Sequence, residues 1–373
     1  MKRKLFILCE RYYDFNRNKI SIGGIQTYVS NLCKIAQELG FHVVVIQKSF
    51  EDRRDFVDSC EILSVKTSHL LVYRLQSLKL FLVYWRQSSP SDILLYATEG
   101  FAQRWKKGKT IGIQHGISWD IPSDVPTNRL SNVFASFRQL KNSLWLTKKI
   151  SYLDKLVCVD YNFVNWYKTQ VKHPECEYSV VPNFTHIPNE NEIDKSSDGK
   201  VRIIFARRFQ KYRGTRLFSN VIVRLLQEYD NIEVTIAGEG PDADYMHQYL
   251  DKFSNVRFIK FSANESLKVH SAVDIAVVPT IGSEGTSLSL LEAMASKCAV
   301  ICTNVGGMSN IVIDNYNGLI INPEEKALYQ ALKLLITDES LRNRLAIKAR
   351  ETAEYGFSYS QWKDKWIKIL NNL

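Results

Sequence analysis

VVPTIGSEGTSLSLLEAMA is the sequence of residues 277–295, and its pattern predicts a strand, a loop and a helix in succession. The run from Ile275 to Pro279 is rich in β-branched residues, which favours a buried parallel strand. A loop of Gly, Ser and Thr follows, and an apolar helix begins near Ser287. In open α/β sheets a loop of this kind lies at the carboxyl end of a strand, where ligands bind.

The start of this helix is an expected anion site. The first N–H groups of a helix have no partner within it, and the helix dipole adds partial positive charge. We therefore expect a phosphate group to bind there. The backbone groups concerned belong to Thr286, Ser287 and Leu288, and Gly285 directly before them is also expected to contact the ligand.

Two carboxylates flank this anion site. Helical side chains lean toward the N-terminus, so Glu292 is expected to point back to the mouth of the crevice, while Glu284 stands in the loop. A carboxylate accepts hydrogen bonds from two O–H groups at once, so one of the two carboxylates suits the paired hydroxyls of a ribose and the other a second polyol. The alternative is a pair of solvated surface residues. For Glu292 the apolar helix around it argues against that alternative, because an unpaired carboxylate there would be costly.

Glu284, seven further residues, Glu292 and then Ala-Met-Ala resemble the E-x7-E signature of family 4 retaining glycosyltransferases. This resemblance implies the GT-B fold, an α/β architecture of two Rossmann-like doubly wound domains facing across a cleft, with a C-terminal helix that crosses back to the first domain. It also implies a nucleotide-diphosphate sugar as co-substrate and no resident cofactor.

The loop RRFQKYRG at residues 207–214 resembles the family's Gly-Arg-Leu, three residues, then Lys-Gly. The resemblance places Arg208 and Arg213 on the two basic positions, where they would neutralise the departing diphosphate. Arg207 replaces the family's glycine, and Arg213 replaces its lysine. Arg binds phosphate oxygens as a fork where Lys is a point charge, so the second change should preserve function. Without the resemblance, so basic a run could equally be a surface loop.

Other site residues are also implied by the resemblance. In the first domain the pair Gly23-Gly24 would lie against the donor diphosphate and the acceptor, and His115 would lie near the donor sugar, with Gln114 and Glu99 as weaker neighbours. By itself the glycine pair is a turn, and a lone His is more often structural.

Two matches lie further along the chain. Gly238 opens a Gly-x-Gly-Pro run like that of the family and would bind the nucleotide sugar, and Val181-Pro182-Asn183 resembles the family's crossover between domains.

The length of 373 residues fits two α/β domains rather than one core. We expect a first domain over 1–187, a second over 188–355 and a returning helix over 356–373. The first half alternates strands with helices, as in a doubly wound parallel sheet. Its expected strands lie near 4–9, 42–47, 61–65, 92–96, 109–113, 155–159 and 177–181.

The net charge of +10 comes entirely from the first half. Residues 1–187 contain 26 Lys and Arg against 16 Asp and Glu, whereas residues 188–373 contain 23 of each. This imbalance indicates an anionic surface or substrate for the first domain. No DNA- or RNA-binding motif accompanies the charge, so nucleic acid is not an expected partner.

Residues 129–150 combine basic side chains with apolar residues at helical spacing. One interpretation is a stripe packed on the core with a solvated basic face. The other is an interfacial helix on an anionic membrane surface. The segment from Leu70 to Arg86 is open to the same two interpretations.

Several absences shape the expected location. The first apolar run is too short for a signal peptide, and no segment reaches the roughly 20 apolar residues that span a bilayer. The seven cysteines form no CxxC pair, which favours a reducing compartment, and no zinc site or other metal site is expected. We expect a cytoplasmic protein, peripheral on the inner face of the cell membrane.

The resemblance, taken with the basic first domain, implies a retaining, metal-independent hexosyl- or deoxyhexosyltransferase of surface polysaccharide biosynthesis, such as lipopolysaccharide or capsule. Its acceptor would be a glycan or a polyprenyl-diphosphate-linked oligosaccharide. Glu284 and His115 would orient the sugar, and Arg208 and Arg213 would stabilise the leaving group. The alternatives are a sugar-nucleotide 2-epimerase of the same fold and an inactive sugar-nucleotide-binding module, for which Arg207 is the one hint.

Overall fold

The structure of the protein is a computed structural model, and it describes residues 2–16, 18–21, 23–68, 73–117, 129–171, 176–282 and 284–373. The chain divides into two compact units. The first contains Met1–His115, Pro126–Val181 and Lys363–Leu373, and the second contains Gly116–Val125 and Pro182–Trp362.

The strands are short and mostly buried. Their bounds are β1 (Lys4–Cys9), β2 (Tyr13–Asp14), β3 (Lys19–Ile20), β4 (His42–Ser49), β5 (Arg53–Val57), β6 (Cys60–Lys66), β7 (Ile93–Tyr96), β8 (Lys109–Gln114), β9 (Lys155–Cys158), β10 (Glu177–Val180), β11 (Val201–Ala206), β12 (Ile232–Ala237), β13 (Val256–Ile259), β14 (Ile275–Val278), β15 (Ala299–Thr303) and β16 (Leu319–Ile321).

Helices alternate with these strands in both units. Their bounds are α1 (Gly24–Glu38), α2 (Tyr73–Gln87), α3 (Arg129–Ile150), α4 (Tyr161–Gln170), α5 (Thr215–Glu228), α6 (Ala243–Leu250), α7 (Ser266–Ser271), α8 (Leu288–Ala295), α9 (Glu325–Thr337), α10 (Glu339–Phe357) and α11 (Tyr359–Asn371). Within the described residues, no helix has the length and the apolar run needed to span a bilayer.

The first unit contains an eight-stranded sheet in the order β10-β9-β8-β7-β1-β4-β6-β5. Its strands are parallel apart from β5, which runs antiparallel to β6 at the edge. The strands predicted for the first half are confirmed as β1, β4, β6, β7, β8, β9 and β10. From β1 the chain first adds β4, β5 and β6 on one side of the sheet and then β7 to β10 on the other side. The switch point therefore lies between β1 and β7, at the loops that follow these two strands.

The second unit contains a parallel six-stranded sheet in the order β13-β12-β11-β14-β15-β16. Counted from β11, this is the 3-2-1-4-5-6 order of a nucleotide-binding doubly wound sheet. The switch point therefore lies between β11 and β14. The loops that follow these two strands are 207–214 and 279–287, the two segments that the sequence singles out.

Helix α8 follows β14 and is buried, as its composition predicts. Leu290, Leu291 and Met294 have no exposed surface, and they pack in a core with apolar residues of β14 and β15. This packing fixes the start of α8 at the switch point of the second unit.

Helix α3 corrects one interpretation of the sequence. Phe134, Phe137, Leu140 and Leu144 recur at spacings of three, three and four residues, and each is more than half exposed. The stripe therefore does not pack on the core of its unit. The buried face of α3 is instead formed by side chains such as Leu146.

Candidate active site

The loops after β11 and β14 are held together by close backbone contacts. The backbone N–H of Ile281 donates to the Tyr212 carbonyl at 2.8 Å. Gly214 has a φ of 83°, and a Cβ at that position would stand 1.9 Å from the Pro279 carbonyl oxygen. Glycine is therefore required at residue 214, because both its left-handed backbone and the close approach exclude a side chain.

Glu284 lies at the centre of this switch point, with only 10% of its side chain exposed. Its Oε2 atom accepts hydrogen bonds from Arg207 Nη2, from Arg213 Nη1 and, at 3.1 Å, from Thr280 Oγ1. Among the described residues, no donor is bonded to Oε1. Oε2 thus anchors the carboxylate, and Oε1 can accept a hydrogen bond from a hydroxyl group of a ligand.

Arg207 is buried beneath the start of α8, where the sequence indicated only a lost glycine. Its Nη1 donates to Ser287 Oγ at 2.9 Å and to Ser289 Oγ at 3.0 Å, and its Nη2 donates to Thr280 Oγ1 at 3.1 Å. Together with Glu284, these three hydroxyls hold the guanidinium in one orientation.

The electrostatics of this cluster favour an anion. Burial alone would raise the pKa of Glu284, but the guanidinium groups of Arg207 and Arg213 outweigh it and hold the pKa below its ordinary value. Two positive charges thus face one negative charge beside the positive end of a helix dipole. Ser287 is the N-cap residue of α8, yet its side chain makes no capping bond. The first turn can therefore donate its backbone N–H groups to an anionic ligand.

Glu292 lies in the second turn of α8. Its Oε2 accepts a hydrogen bond of 2.6 Å from Ser266 Oγ, at the start of α7. Burial raises the pKa of Glu292 to about 7, although the Ser266 bond and the charge of Arg207 oppose the shift. No local pattern could have revealed Ser266, because it precedes Glu292 by more than twenty residues on another helix.

The crossover segment supports the same loop. Asn183 Nδ2 donates to the Thr286 carbonyl at 2.6 Å, and the backbone N–H of Gly307 donates to the Glu284 carbonyl at 3.0 Å. The backbone that carries Glu284 and the start of α8 is thus fixed from two sides.

A groove of about 760 Å³ opens at the carboxyl ends of β11, β12 and β13. Arg208 lines this groove and is exposed. Gly238 lines it as well, and its missing side chain allows close contact, since a Cβ would stand 2.1 Å from the Arg207 carbonyl oxygen. His247 and Phe258 also line the groove, and their rings stack with the ring centroids 3.9 Å apart.

The first unit gathers its predicted residues around its own switch point. His115 follows β8, and its Nε2 lies 2.9 Å from the carbonyl oxygen of Ala97, which follows β7. Burial lowers the pKa of His115 to about 4, so the imidazole is neutral and donates through Nε2. Gly23 is the N-cap residue of α1 and Gly24 its first residue; Tyr28 of the same helix meets the His115 ring edge-on at 5.4 Å.

Glu99 and Gln114 are the weaker candidates of the first unit. Burial raises the pKa of Glu99 to about 7. Gln114 has no exposed surface, and neither of its side-chain amide atoms has a hydrogen-bond partner among the described residues. An unsatisfied buried amide is unusual and fits a site that a polar ligand completes. In the parts of the chain that the structure describes, no group of three or more His, Cys, Asp or Glu could hold a metal ion.

Comparisons with known proteins show which families this chain resembles. Residues 187–352 match the sequence model of the family described as "Glycosyl transferases group 1". An uncharacterized glycosyltransferase of Methanocaldococcus jannaschii is 20% identical, over 94% of this chain and 95% of its own. The GPI3 subunit of phosphatidylinositol N-acetylglucosaminyltransferase from Saccharomyces cerevisiae is 21% identical, over 97% of this chain and 80% of its own.

The fold was compared with that of solved structures. HepE of Anabaena, in complex with UDP and glucose, superposes with a TM-score of 0.72 at 16% identity, and the match covers 100% of both chains. The chain therefore has the GT-B fold, with two Rossmann-like units built on parallel sheets. The match to the group 1 glycosyltransferase model lies within the second unit, and the structural comparison adds the two-unit architecture.

Proposed function

We propose that this group 1 glycosyltransferase moves a hexosyl or deoxyhexosyl group from a nucleotide-diphosphate sugar to a glycan or lipid-linked acceptor, with retention of anomeric configuration. The proposal rests mainly on one observation, the buried cluster in which Arg207 and Arg213 bind one oxygen of Glu284 at the start of α8. The E-x7-E spacing of Glu284 and Glu292 supports membership of family 4.

In this mechanism the second unit holds the donor. The diphosphate binds the first turn of α8 and Arg213, which stabilise the negative charge that grows as the bond to the sugar breaks. Glu284 Oε1 accepts a hydrogen bond from a hydroxyl of the sugar and so orients the sugar. The guanidinium groups supply the positive charge that this step needs, so the proposal includes no metal ion. The groove lined by Arg208 and Gly238 accommodates the nucleoside.

We propose that His115 orients the donor sugar, as the family resemblance implies. Its Nε2–H is engaged by the Ala97 carbonyl, so Nδ1 of the neutral ring is an acceptor for a sugar hydroxyl. Gly23 and Gly24, at the start of α1, would let a ligand approach the backbone closely.

Nucleotide affinity is expected to rise with pH through about 7. Ribose hydroxyls donate to an ionised carboxylate, and Glu292, with a pKa raised to about 7 by burial, must lose its proton to accept them. Protonation at lower pH therefore competes with binding. Calorimetry between about pH 6 and 8 measures this, with nucleoside diphosphate as the ligand.

The control for this titration is the Glu292→Gln variant, whose side-chain amide cannot ionise. It should bind roughly tenfold more weakly and keep only the pH dependence of the nucleotide phosphate itself. Equal pH dependence in the two proteins would show that Glu292 does not bind the ribose.

The acceptor is proposed to be lipid-linked, with transfer at the cytoplasmic face of a membrane in surface polysaccharide biosynthesis. A relative named for phosphatidylinositol supports a lipid acceptor. The exposed stripe on α3 supports a membrane surface, since Phe134 and Phe137 are 74% and 70% exposed, and the exposed Lys141 and Lys148 follow them about one turn and three turns further along the same helix. Apolar side chains flanked by lysines are typical of helices that lie on anionic bilayers.

The full-length protein is expected to bind vesicles that contain anionic lipid and to bind neutral vesicles weakly. Each basic residue near an anionic bilayer contributes about 1 kcal/mol, and added salt screens the attraction within roughly 10 Å. Lys141→Gln with Lys148→Gln, or Phe134→Ser with Phe137→Ser, should reduce co-sedimentation.

Phe56→Ser is the control, because Phe56 is 65% exposed on β5, outside α3. Equal, salt-insensitive partitioning on both vesicle types, or an equal loss with Phe56→Ser, would remove the membrane from the proposal.

Thermal unfolding in the presence of UDP, GDP, dTDP or CDP, and of their sugar conjugates, identifies the donor. A ligand present at 100 times its dissociation constant stabilises the folded state by about 2.7 kcal/mol, so the thermal midpoint should rise with one base and not with the others. The sugar conjugate that fits should then be consumed in the presence of acceptor. Release of a free epimerised sugar without acceptor would favour the 2-epimerase instead.

A further inference from the structure

The two arginines that bind Glu284 are anchored differently. Arg207 has 5% of its side chain exposed and donates to three hydroxyl groups besides the carboxylate. Arg213 has 24% of its side chain exposed, and its guanidinium lies 4.9 Å from the ring of Tyr212. Arg207 is thus a fixed cation, and Arg213 lies at the rim of the cluster.

An incoming diphosphate competes with Glu284 for these cations. Turning Arg207 away would leave the buried hydroxyls of Thr280 and Ser287, and the half-buried one of Ser289, without their shared donor, which is costly. Turning Arg213 away carries a smaller penalty, because solvent already reaches part of its side chain. The diphosphate should therefore recruit Arg213 and leave Arg207 in place.

We propose that Arg207 is a positioning residue that keeps Glu284 oriented and charge-balanced once Arg213 has turned to the donor's diphosphate. The inference rests on the proposed function and adds a division of labour between the two arginines. Where the family has glycine, Arg207 thus supplies a second, permanent positive charge beside the carboxylate of Glu284.

The surroundings of Glu284 show why a permanent counter-charge matters. Among the residues that the structure describes, the charged groups facing Glu284 are Arg207 after β11 and Arg213 in the turn before α5, while Tyr212 and Glu292 act on it through these arginines. Without a cation, burial would favour the protonated carboxyl. A protonated Glu284 is a poorer acceptor for a sugar hydroxyl and would lose its orientation.

The test uses the full-length protein with glutamate labelled at the carboxyl carbon, and the Glu284 signal is assigned by its loss in Glu284→Gln. Arg213→Ala imitates the state in which Arg213 has turned away, so no ligand is needed. Glu284 should still titrate at low pH in Arg213→Ala, whereas adding Arg207→Gln should move its midpoint to higher pH. Arg207→Lys in the same background should restore the low midpoint, because it keeps the charge.

Two outcomes overturn the proposal. One is a midpoint already raised in Arg213→Ala, which would make Arg213 the essential counter-charge. The other is an unchanged midpoint in the double variant. Thermal unfolding of each variant establishes that the fold persists, and Arg207→Lys provides the comparison if Arg207→Gln is unstable.

A second arm uses inorganic pyrophosphate as the probe. Saturating pyrophosphate should raise the Glu284 midpoint in Arg207→Gln and leave it low in the wild type, and an equal response in both overturns the proposal. If pyrophosphate does not bind the wild type, the proposed diphosphate site fails, while the Arg213→Ala titration still decides the role of Arg207. In turnover assays Arg207→Gln should lower kcat roughly ten- to a hundredfold and change pyrophosphate affinity much less.

Discussion

Glu284→Gln is expected to lower kcat about a hundredfold, the cost of misplacing a reacting group by roughly 1 Å. The affinity for bare nucleoside diphosphate should hold or increase, because the neutral amide releases Arg213 from its ion pair with the carboxylate. Turnover of the sugar nucleotide and calorimetry with the diphosphate measure the two effects separately.

Glu292→Gln is the matched comparison, since it removes a carboxylate of the same kind from the same loop–helix unit. It should show the opposite pattern, with weaker nucleotide binding and a smaller effect on kcat. If Glu284→Gln abolished diphosphate binding while Glu292→Gln preserved it, the roles assigned to the two carboxylates would be reversed.

Arg213→Ala should weaken nucleoside diphosphate binding by roughly ten- to a hundredfold, as expected for the loss of a charge-assisted hydrogen bond. The monophosphate should lose less, because it lacks the second phosphate. Arg208→Ala should also weaken binding, from its place in the groove. Calorimetry on each variant gives the dissociation constants.

Arg224→Ala serves as the charge control for these two variants. Arg224 is exposed on α5, and its guanidinium lies 4.5 Å from the Tyr329 ring. It should bind the diphosphate like the wild type. Unchanged affinity in both Arg208→Ala and Arg213→Ala would exclude the loop after β11 as the diphosphate site.

The parts of the fold that could be predicted are those with a local signal. A β-branched run, a glycine-containing loop and an apolar helix are adjacent in the chain, so residues 275–295 were predicted as the strand, loop and buried helix that the structure shows. The strand β5 was missed, because the charged residues Arg53, Arg54 and Asp55 suit an exposed edge strand and give no apolar run.

The contacts around the carboxylates depend on residues distant in the chain. The sequence showed that Arg207 replaced a glycine, but not that its side chain would find Ser287 and Ser289 beneath α8. Ser266 likewise reaches Glu292 from another helix. The order of strands in the sheet brings these groups together, and that order is not encoded in any one segment.

The stripe on α3 shows a further limit of periodicity. Spacings of three and four residues place Phe137, Leu140 and Leu144 on one face of a helix whether that face is covered or exposed. The sequence therefore left two interpretations open, and the exposure of these side chains contradicts the core-facing one.

The central claim is that the loop before α8 and the loop after β11 bind the diphosphate of a nucleotide sugar. Hydrogen exchange of the full-length protein, with and without a saturating nucleoside diphosphate, tests it directly, because the first-turn N–H groups of α8 would become ligand donors. We predict slower exchange in peptides covering 285–291 and 207–214, and none of this protection in Arg213→Ala at a concentration that saturates only the wild type. Protection confined to other segments under saturating ligand would contradict the account.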